Sequence, residues 1–217
     1  MSSLNTVGGY FQILAGFIKL GMGYAIPFAM AIVILLLLIR FVVEHFKLSP
    51  FGKVAFYATR PTESWFRQAK SSQFYYGLKK ALPFEPIWLL LLLGFAFFFY
   101  LLSLLANDVI MFLLALSQTC GYFGNGRVGA GMQAVIGCAL LFVVYSAMAM
   151  MTILVINSFF GLFQRPAQWA GKYIYPLLSS VDRTGSLAPL IFLLAFWLLG
   201  ALASAVQISF FQEGFIR

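Results

Sequence analysis

The sequence predicts an all-α membrane protein with four transmembrane helices, and three observations support that fold class. Of the 217 residues, 62% are hydrophobic and only 9% are charged, whereas an average soluble domain has about 25% charged residues. Four mainly apolar stretches are each close to the roughly 20 residues that a helix needs to cross a bilayer. The basic residues gather between these stretches. This composition excludes a disordered chain, a fibrous protein and an ordinary cytosolic enzyme.

The four predicted spans follow one another along the chain with distinct loops between them. The first span runs from residue 24 to 43, and the second runs from 87 to 106 and contains no charged residue. The third starts near Met132 and reaches about Ile156, and the fourth runs from 187 to about 206. Apolar side chains surround each helix, so we expect every face to contact lipid or another helix.

Two weaker stretches adjoin these spans. Residues 1–23 are predicted to form an interfacial helix, because apolar residues recur there at helical spacing and Lys19 and Gly21 then end the pattern. Residues 107–131 are predicted to be a glycine-rich connector. Within it, residues 109–123 allow three interpretations: an extension of the second helix, an interfacial segment, or a segment that enters the membrane and returns.

The distribution of charge predicts the orientation in the membrane. Most of the 14 Lys and Arg residues lie at the end of the first span or in the loops after the first and third spans. Because basic loops stay in the cytoplasm, we place both loops inside and both termini on the opposite side. The predicted location is a bacterial inner membrane, either cytoplasmic or photosynthetic. The net charge of +8 then indicates contact with anionic lipid head groups rather than with nucleic acid.

The first basic loop holds the residues that we predict to contact the membrane surface or a partner protein. Basic and aromatic side chains are mixed there, which is typical of a segment that lies on an anionic leaflet or docks onto a protein. The predicted contact residues are Arg60, Trp65, Arg67, Lys70, Lys79 and Lys80.

The spans also pair into two repeats of helix, basic loop and helix, over residues 24–106 and 132–217. Each loop ends near a proline that opens the next helix, Pro86 in the first copy and Pro189 in the second. Proline is tolerated at a helix start because the N–H that it lacks would be unpaired there. Two copies with the same orientation would be related by an axis along the membrane normal.

At these loops the chain resembles the YggT family, also called YlmG, whose members carry two-helix repeats with short motifs between the helices. Residues 78–83 match the family's basic stretch between hydrophobic residues and proline, and residues 85–87 match its Ser-Pro helix opening. Residues 185–189 match that opening in the second copy, whereas Ser179 and Ser180 stand where the family has two arginines. The resemblance implies a membrane scaffold or assembly factor that acts in cell-division placement, osmotic response or cofactor maturation in photosynthetic membranes.

His45 is the only histidine and the only candidate cofactor ligand. One histidine cannot build a His-rich metal site or a Ser-His-Asp arrangement. It could be the single axial ligand of a haem or a chlorophyll-type pigment, or it could lie in the headgroup region without a ligand. Bound lipids are the other predicted cofactors, and we predict no catalytic or metal site.

Small residues at four-residue spacing predict close helix packing. The predicted packing residues are Gly126, Ala130 and Ala134 in the third span and Gly200 and Ser204 in the fourth. The centres of the spans contain no ionisable residue, and Arg40, the deepest charge, can extend to the interface. This pattern disfavours a pump or an ion-coupled transporter.

The sequence therefore favours a non-enzymatic structural or assembly subunit, which packs against other membrane proteins in a hetero-complex and docks through its first basic loop. One alternative is a pigment- or haem-associated accessory subunit of a photosynthetic or respiratory complex. The other is a small channel or osmotic-response transporter. Asn107, Asp108 and the glycines after them suggest that alternative, since irregular backbone at membrane depth usually lines a cavity.

Overall fold

The computed structural model describes residues 2–46, 53–71, 73–81, 83, 85–160, 164–181 and 188–211. These ranges form seven α-helices and contain no strand. In chain order the helices are α1 (Ser2–His45), α2 (Lys53–Ser71), α3 (Gln73–Ala81), α4 (Ile87–Gly124), α5 (Val128–Phe160), α6 (Gln164–Val181) and α7 (Ala188–Phe210).

Four of these helices, α1, α4, α5 and α7, are long and apolar enough to cross a membrane. The predicted all-α class and the four candidate spans are therefore confirmed. However, α1 and α4 are much longer than the spans predicted for them. Helix α1 has 44 residues, which is about twice the roughly 20 that one crossing of the hydrocarbon core needs.

The helix break predicted at Lys19 and Gly21 does not occur, because α1 continues through both residues. Lysine is a good helix former, and one glycine inside a helix costs only about 1 kcal/mol relative to alanine. Residues 1–23 therefore do not form a helix of their own, and most of them are the first turns of α1.

The predicted glycine-rich connector is also mostly helical. Residues 109–123 belong to α4, which ends at Gly124. The link to α5 is a short turn in which Gly126 has a φ of 75°, a left-handed conformation that glycine adopts without steric cost. Arg127 donates its backbone N–H to the carbonyl oxygen of Tyr122 at 2.9 Å, which satisfies one of the last carbonyl groups of α4. The irregular backbone that suggested a channel is thus absent from residues 107–124.

Contacts divide the chain into two compact units. The first unit comprises Met1–Met22, Ser103–Leu154 and Gln164–Arg217, and the second comprises Gly23–Leu102 and Val155–Phe163. The three longest helices, α1, α4 and α5, each contribute segments to both units.

In the first unit, α5 packs closely against α7. A Cβ on Gly137 would lie 2.6 Å from the Cβ of Phe210, so α7 can approach this closely only because residue 137 is glycine. The side-chain amide of Gln207 also donates to the Tyr145 hydroxyl at 2.6 Å. The buried core around these contacts consists of Ala115, Ala134, Cys138, Leu141, Val144, Met148, Ala203, Val206 and Phe211.

The part of α1 in the first unit has small residues on its buried side and large apolar residues on its exposed side. Gly8 and Ala15 are buried, and a Cβ on Gly8 would lie 3.0 Å from the backbone oxygen of Ser117. By contrast, Tyr10 and Phe17 are 66% and 68% exposed. This is the reverse of a helix on a water-soluble protein, and it fits a helix surrounded by lipid or by apolar protein.

The second unit joins the later part of α1, helices α2 and α3, and the first part of α4. Aromatic rings connect α2 to α4: the centroids of Trp65 and Phe95 are 4.7 Å apart, and those of Phe66 and Trp88 are 4.8 Å apart. The buried core of this unit consists of Leu37, Phe66, Ala69, Tyr75, Ile87, Leu91, Phe95 and Phe99.

Candidate functional site

Helix α2 carries most of the residues that were predicted to contact a membrane surface or a partner. Thr62, Phe66 and Ala69 form its buried side, and Trp65 is half-buried beside them. Because these residues are three or four positions apart, they lie on one face of the helix. The opposite side of α2 is exposed. The helix is therefore amphipathic, with its apolar side packed against the other helices of the second unit.

A buried arginine on α1 binds this inner side of α2. The Arg40 side chain is only 8% exposed. Its Nη1 donates to the Thr62 hydroxyl at 2.8 Å, and its Nη2 donates to Glu63 Oε2 at 3.1 Å. Its Nε donates to Glu44 Oε1 at 2.8 Å within α1, and the guanidinium carbon lies 3.7 Å from the centroid of the Phe66 ring. Arg40 thus connects α1 to α2 through hydrogen bonds, an ion pair and a cation–π contact.

These contacts explain how a charge can be buried at this position. An unpaired buried charge costs several kcal/mol, but Arg40 has two carboxylate partners and an aromatic ring on which its planar group stacks. Glu44 and Glu63 are 45% and 54% exposed, so both carboxylates remain partly hydrated. Helix α2 covers the Arg40 side chain and supplies hydrogen-bond acceptors for it. The extension of Arg40 to the membrane interface stays a prediction.

The exposed side of α2 is positively charged. Arg60, Arg67 and Lys70 are all exposed, and we refer to these three residues as the basic face of α2. The guanidinium carbon of Arg60 lies 5.4 Å from the ring centroid of Phe56, which is also exposed. Glu63, the single acidic residue in the α2 sequence, pairs with Arg40.

Of the six predicted contact residues, Trp65 alone is not exposed. Its ring packs against Phe95 of α4, so it belongs to the core of the second unit. Sequence alone could not show whether Trp65 lies on the surface or in the core, because an aromatic residue on an amphipathic helix can face lipid or protein. The exposed aromatic residues of α2 are instead Phe56 and Tyr57.

Lys79 and Lys80 are exposed at the end of α3, next to a contact between α3 and Glu85, which lies two residues before α4. The Tyr75 hydroxyl donates to Glu85 Oε1 at 2.5 Å, and Lys79 Nζ lies 4.0 Å from Glu85 Oε2. Because Glu85 accepts this hydrogen bond, and because burial disfavours the phenolate, the pKa of Tyr75 lies above its ordinary value of 10.0. The phenol therefore stays protonated and bonded at neutral pH.

His45 lies at the end of α1, where its side chain is exposed. Its ring is stacked on Phe41, with 5.6 Å between the centroids. In the part of the chain that the structure describes, no group of three or more His, Cys, Asp or Glu residues is arranged to hold a metal ion. A haem or pigment ligand at His45 stays a prediction, as does bound lipid.

The predicted small-residue stripes coincide only in part with helix contacts. Ala134 is fully buried and Ala130 is half-buried, but Gly126 lies in the turn before α5. A Cβ on Gly200 would meet open space, and Ser204 is exposed and donates to the Gly200 carbonyl within α7 at 3.0 Å. The glycine of α5 that lies against α7 is Gly137 instead, because four-residue spacing does not show which side of an all-apolar helix meets a neighbour.

A polar cavity in the first unit was not predicted from the sequence. It has a volume of about 360 Å³ and lies where α1 meets the end of α4. Helix α1 contributes Asn5 and Gln12, helix α4 contributes Ser117 and Gln118, and Arg127 lines it from the turn. A sequence signal did exist, since Asn5 and Gln12 are seven residues apart and so share one side of an otherwise apolar helix.

The fold and these sites together define a helical integral membrane protein with four candidate spans. No protein-family model, curated protein or solved structure matches the chain. The resemblance to the YggT family therefore stays a prediction based on the loop motifs.

Proposed function

We propose that this protein is a non-enzymatic structural or assembly subunit of a membrane complex, and that it recruits a partner through the basic face of α2. One observation carries this proposal. Arg40 binds the opposite side of α2, so Arg60, Arg67 and Lys70 are presented on a helix whose position is already set. A surface that is ordered before binding loses less conformational entropy when a partner docks.

The packing of α2 supports a protein partner over a lipid surface. A helix that binds a bilayer inserts its apolar side among the lipids, but the apolar side of α2 is packed against α1 and α4. The exposed side offers the three cationic groups of the basic face, with Phe56, Tyr57 and the partly exposed Glu63 beside them. Such a face complements an acidic protein surface, which would attract it over long distances and fix the orientation of the complex.

The outer surface of α7 supports packing against other membrane proteins. Leu193, Trp197 and Ile208 are 71%, 68% and 68% exposed.

The predicted orientation, with the basic loops in the cytoplasm and both termini on the opposite side, puts the basic face of α2 on the cytoplasmic side of an inner membrane.

We also propose that the two repeats predicted from the sequence are real, and helix α6 supports this. Both α2 and α6 contain an Arg-Pro pair, at Arg60 and at Arg165, followed seven residues after the arginine by an exposed basic residue, Arg67 or Lys172. The burial patterns also agree, because the residues one, four, five and eight positions after each proline are buried or half-buried. This correspondence is independent of the loop motifs that resemble the YggT family.

Site-specific crosslinking tests the docking proposal. A photo-reactive amino acid at position 67 or 70 is expected to crosslink the full-length protein to a partner protein in native membranes. The same probe at position 172 on α6 is the matched control, since Lys172 is also an exposed basic residue that follows an Arg-Pro pair. A probe at position 60 should give the same crosslink. The double variant Arg67→Glu/Lys70→Glu should abolish that crosslink, whereas Lys172→Glu should leave it unchanged.

Two results would contradict the proposal. Crosslinks from positions 67 and 70 to lipid alone would show that this face lies on the bilayer. A complex of unchanged composition in the double charge-reversal variant, purified in mild detergent, would show that the basic face of α2 does not hold the partner.

A further inference from the structure

The polar cavity of the first unit is an open cleft between the start of α1 and the end of α4, and these two helices are in close contact beside it. A Cβ on Gly8 would lie 3.0 Å from the backbone oxygen of Ser117, and a Cβ on Gly124 would overlap the side-chain amide of Asn5. Glycines therefore bring the backbones of α1 and α4 together beside the cavity. Its volume of about 360 Å³ falls within the roughly 300–1,000 Å³ that is typical of small-molecule sites.

The charge of the cavity favours an anion. Arg127 is the one charged residue among the described residues that line it. Asp108 is the one acidic residue in the described part of the first unit. It lies ten residues before Gln118 on α4, which is about 15 Å along the helix axis. Among the described residues, the cavity thus combines a guanidinium that has no ion-pair partner with side-chain amides that can donate hydrogen bonds.

One residue that lines the cavity, Gln118, carries a hydrogen-bond acceptor without a donor in the described part of the chain. Gln118 Oε1 is buried and has no hydrogen-bond partner among the described residues. A buried polar atom without a partner costs about 1–3 kcal/mol, and such atoms are uncommon in folded proteins. A ligand that carries a hydroxyl group beside its anionic group would satisfy Gln118 and Arg127 together.

We propose that this cavity binds a phosphate ester of a polyol, such as a glycerol phosphate group. Arg127 pairs with the phosphate oxygens, the amides of Asn5 and Gln12 donate to them, and a glycerol hydroxyl donates to Gln118 Oε1. The group can come from the head group of an anionic lipid or from a soluble metabolite. The large apolar residues on the outside of α1, among them Tyr10 and Phe17, are suited to the acyl chains of a lipid.

The test measures binding to the full-length protein in mild detergent. Native mass spectrometry follows retention of dioleoylphosphatidylglycerol and of dioleoylphosphatidylcholine, and calorimetry follows sn-glycerol 3-phosphate. Arg127→Gln is expected to weaken binding on the order of 10-fold, because it removes a charge-assisted bond to phosphate. Gln118→Met should weaken it by roughly 5-fold through loss of a neutral hydrogen bond.

Lys19→Gln is the matched control, because it removes an exposed positive charge from α1 outside the cavity. This variant should bind as the unmodified protein does, and thermal unfolding without ligand shows whether each variant is folded. Binding of phosphatidylglycerol without glycerol phosphate identifies a lipid site, and binding of both identifies the head-group chemistry with a soluble source as well. Equal retention of both lipids, equal affinity in Arg127→Gln and Lys19→Gln, or no binding of any probe overturns the proposal.

Discussion

At the scale of single residues, Arg40 determines how the second unit is assembled. A lone arginine near the end of an apolar helix usually reaches toward water, because its long apolar stem allows it to do so. Here α2 lies over the side chain, and Thr62, Glu63 and Phe66 replace the water that it would otherwise contact. The charge therefore serves to fix one helix against another.

Replacement of Arg40 should destabilise the protein. Arg40→Met removes the hydrogen bonds to Thr62 and Glu63 and is expected to lower the free energy of unfolding by about 2–4 kcal/mol. This is slightly below the usual cost of breaking a buried ion pair, because both glutamates are partly exposed. Thermal unfolding of the purified protein in detergent measures the loss.

Arg67→Met is the matched control for this experiment. It removes an exposed arginine from α2, and a surface substitution of this kind usually changes stability by about 0.5 kcal/mol or less. If both variants unfold at the same temperature, Arg40 does not fix α2 in place.

At the scale of elements, a glycine determines how closely α5 and α7 can pack. A Cβ on Gly137 would lie 2.6 Å from the Cβ of Phe210, which is too close for any side chain to fit without movement of one helix. A Cβ on Gly200 meets nothing within 4 Å. Gly137 therefore lies at the contact between α5 and α7, whereas Gly200 has no atom close to the position of a Cβ.

Opposite effects are expected for alanine at these two positions. Gly137→Ala should destabilise the protein by about 1–3 kcal/mol, since overpacking of a filled core has this cost. Gly200→Ala should be neutral or stabilising by up to about 1 kcal/mol, because alanine is the better helix former. Thermal unfolding of both variants in the same detergent measures the difference, and a loss of stability in Gly200→Ala alone would show that the contact is misplaced.

Sequence patterns predicted the four candidate spans but not the full length of the helices or the contacts between them. Four apolar runs predicted the four candidate spans, because length and hydropathy are read directly from residue types. The ends of α1 and α4 were missed, since Gly21 and Gly121 resemble breaks although a helix tolerates single glycines. The ion pair of Arg40 with Glu63 and the cavity beside Gln118 depend on which helix sides meet, and residue spacing in all-apolar helices does not specify this.

At the scale of the whole molecule, the predicted orientation in the membrane can be measured by labelling single cysteines. In a background of Cys120→Ala and Cys138→Ala, a cysteine at position 70 should react with an impermeant maleimide only after the membrane is opened. Position 127 lies between α4 and α5, on the side predicted to be opposite the basic loops. A cysteine there should therefore react in intact spheroplasts. The reverse pattern would contradict cytoplasmic basic loops.

The length of α1 has a consequence for the choice of membrane. Its 44 residues are about twice the roughly 20 that one crossing of the hydrocarbon core needs. The additional turns must be accommodated by tilting, by bending, by thicker lipid or by leaving the lipid, and each response carries a cost that grows with the mismatch. Since its first turns expose Tyr10, Phe17 and Leu20, emergence into water would be unfavourable. Thicker membranes, or an apolar neighbour that shields these turns, should therefore retain the protein preferentially.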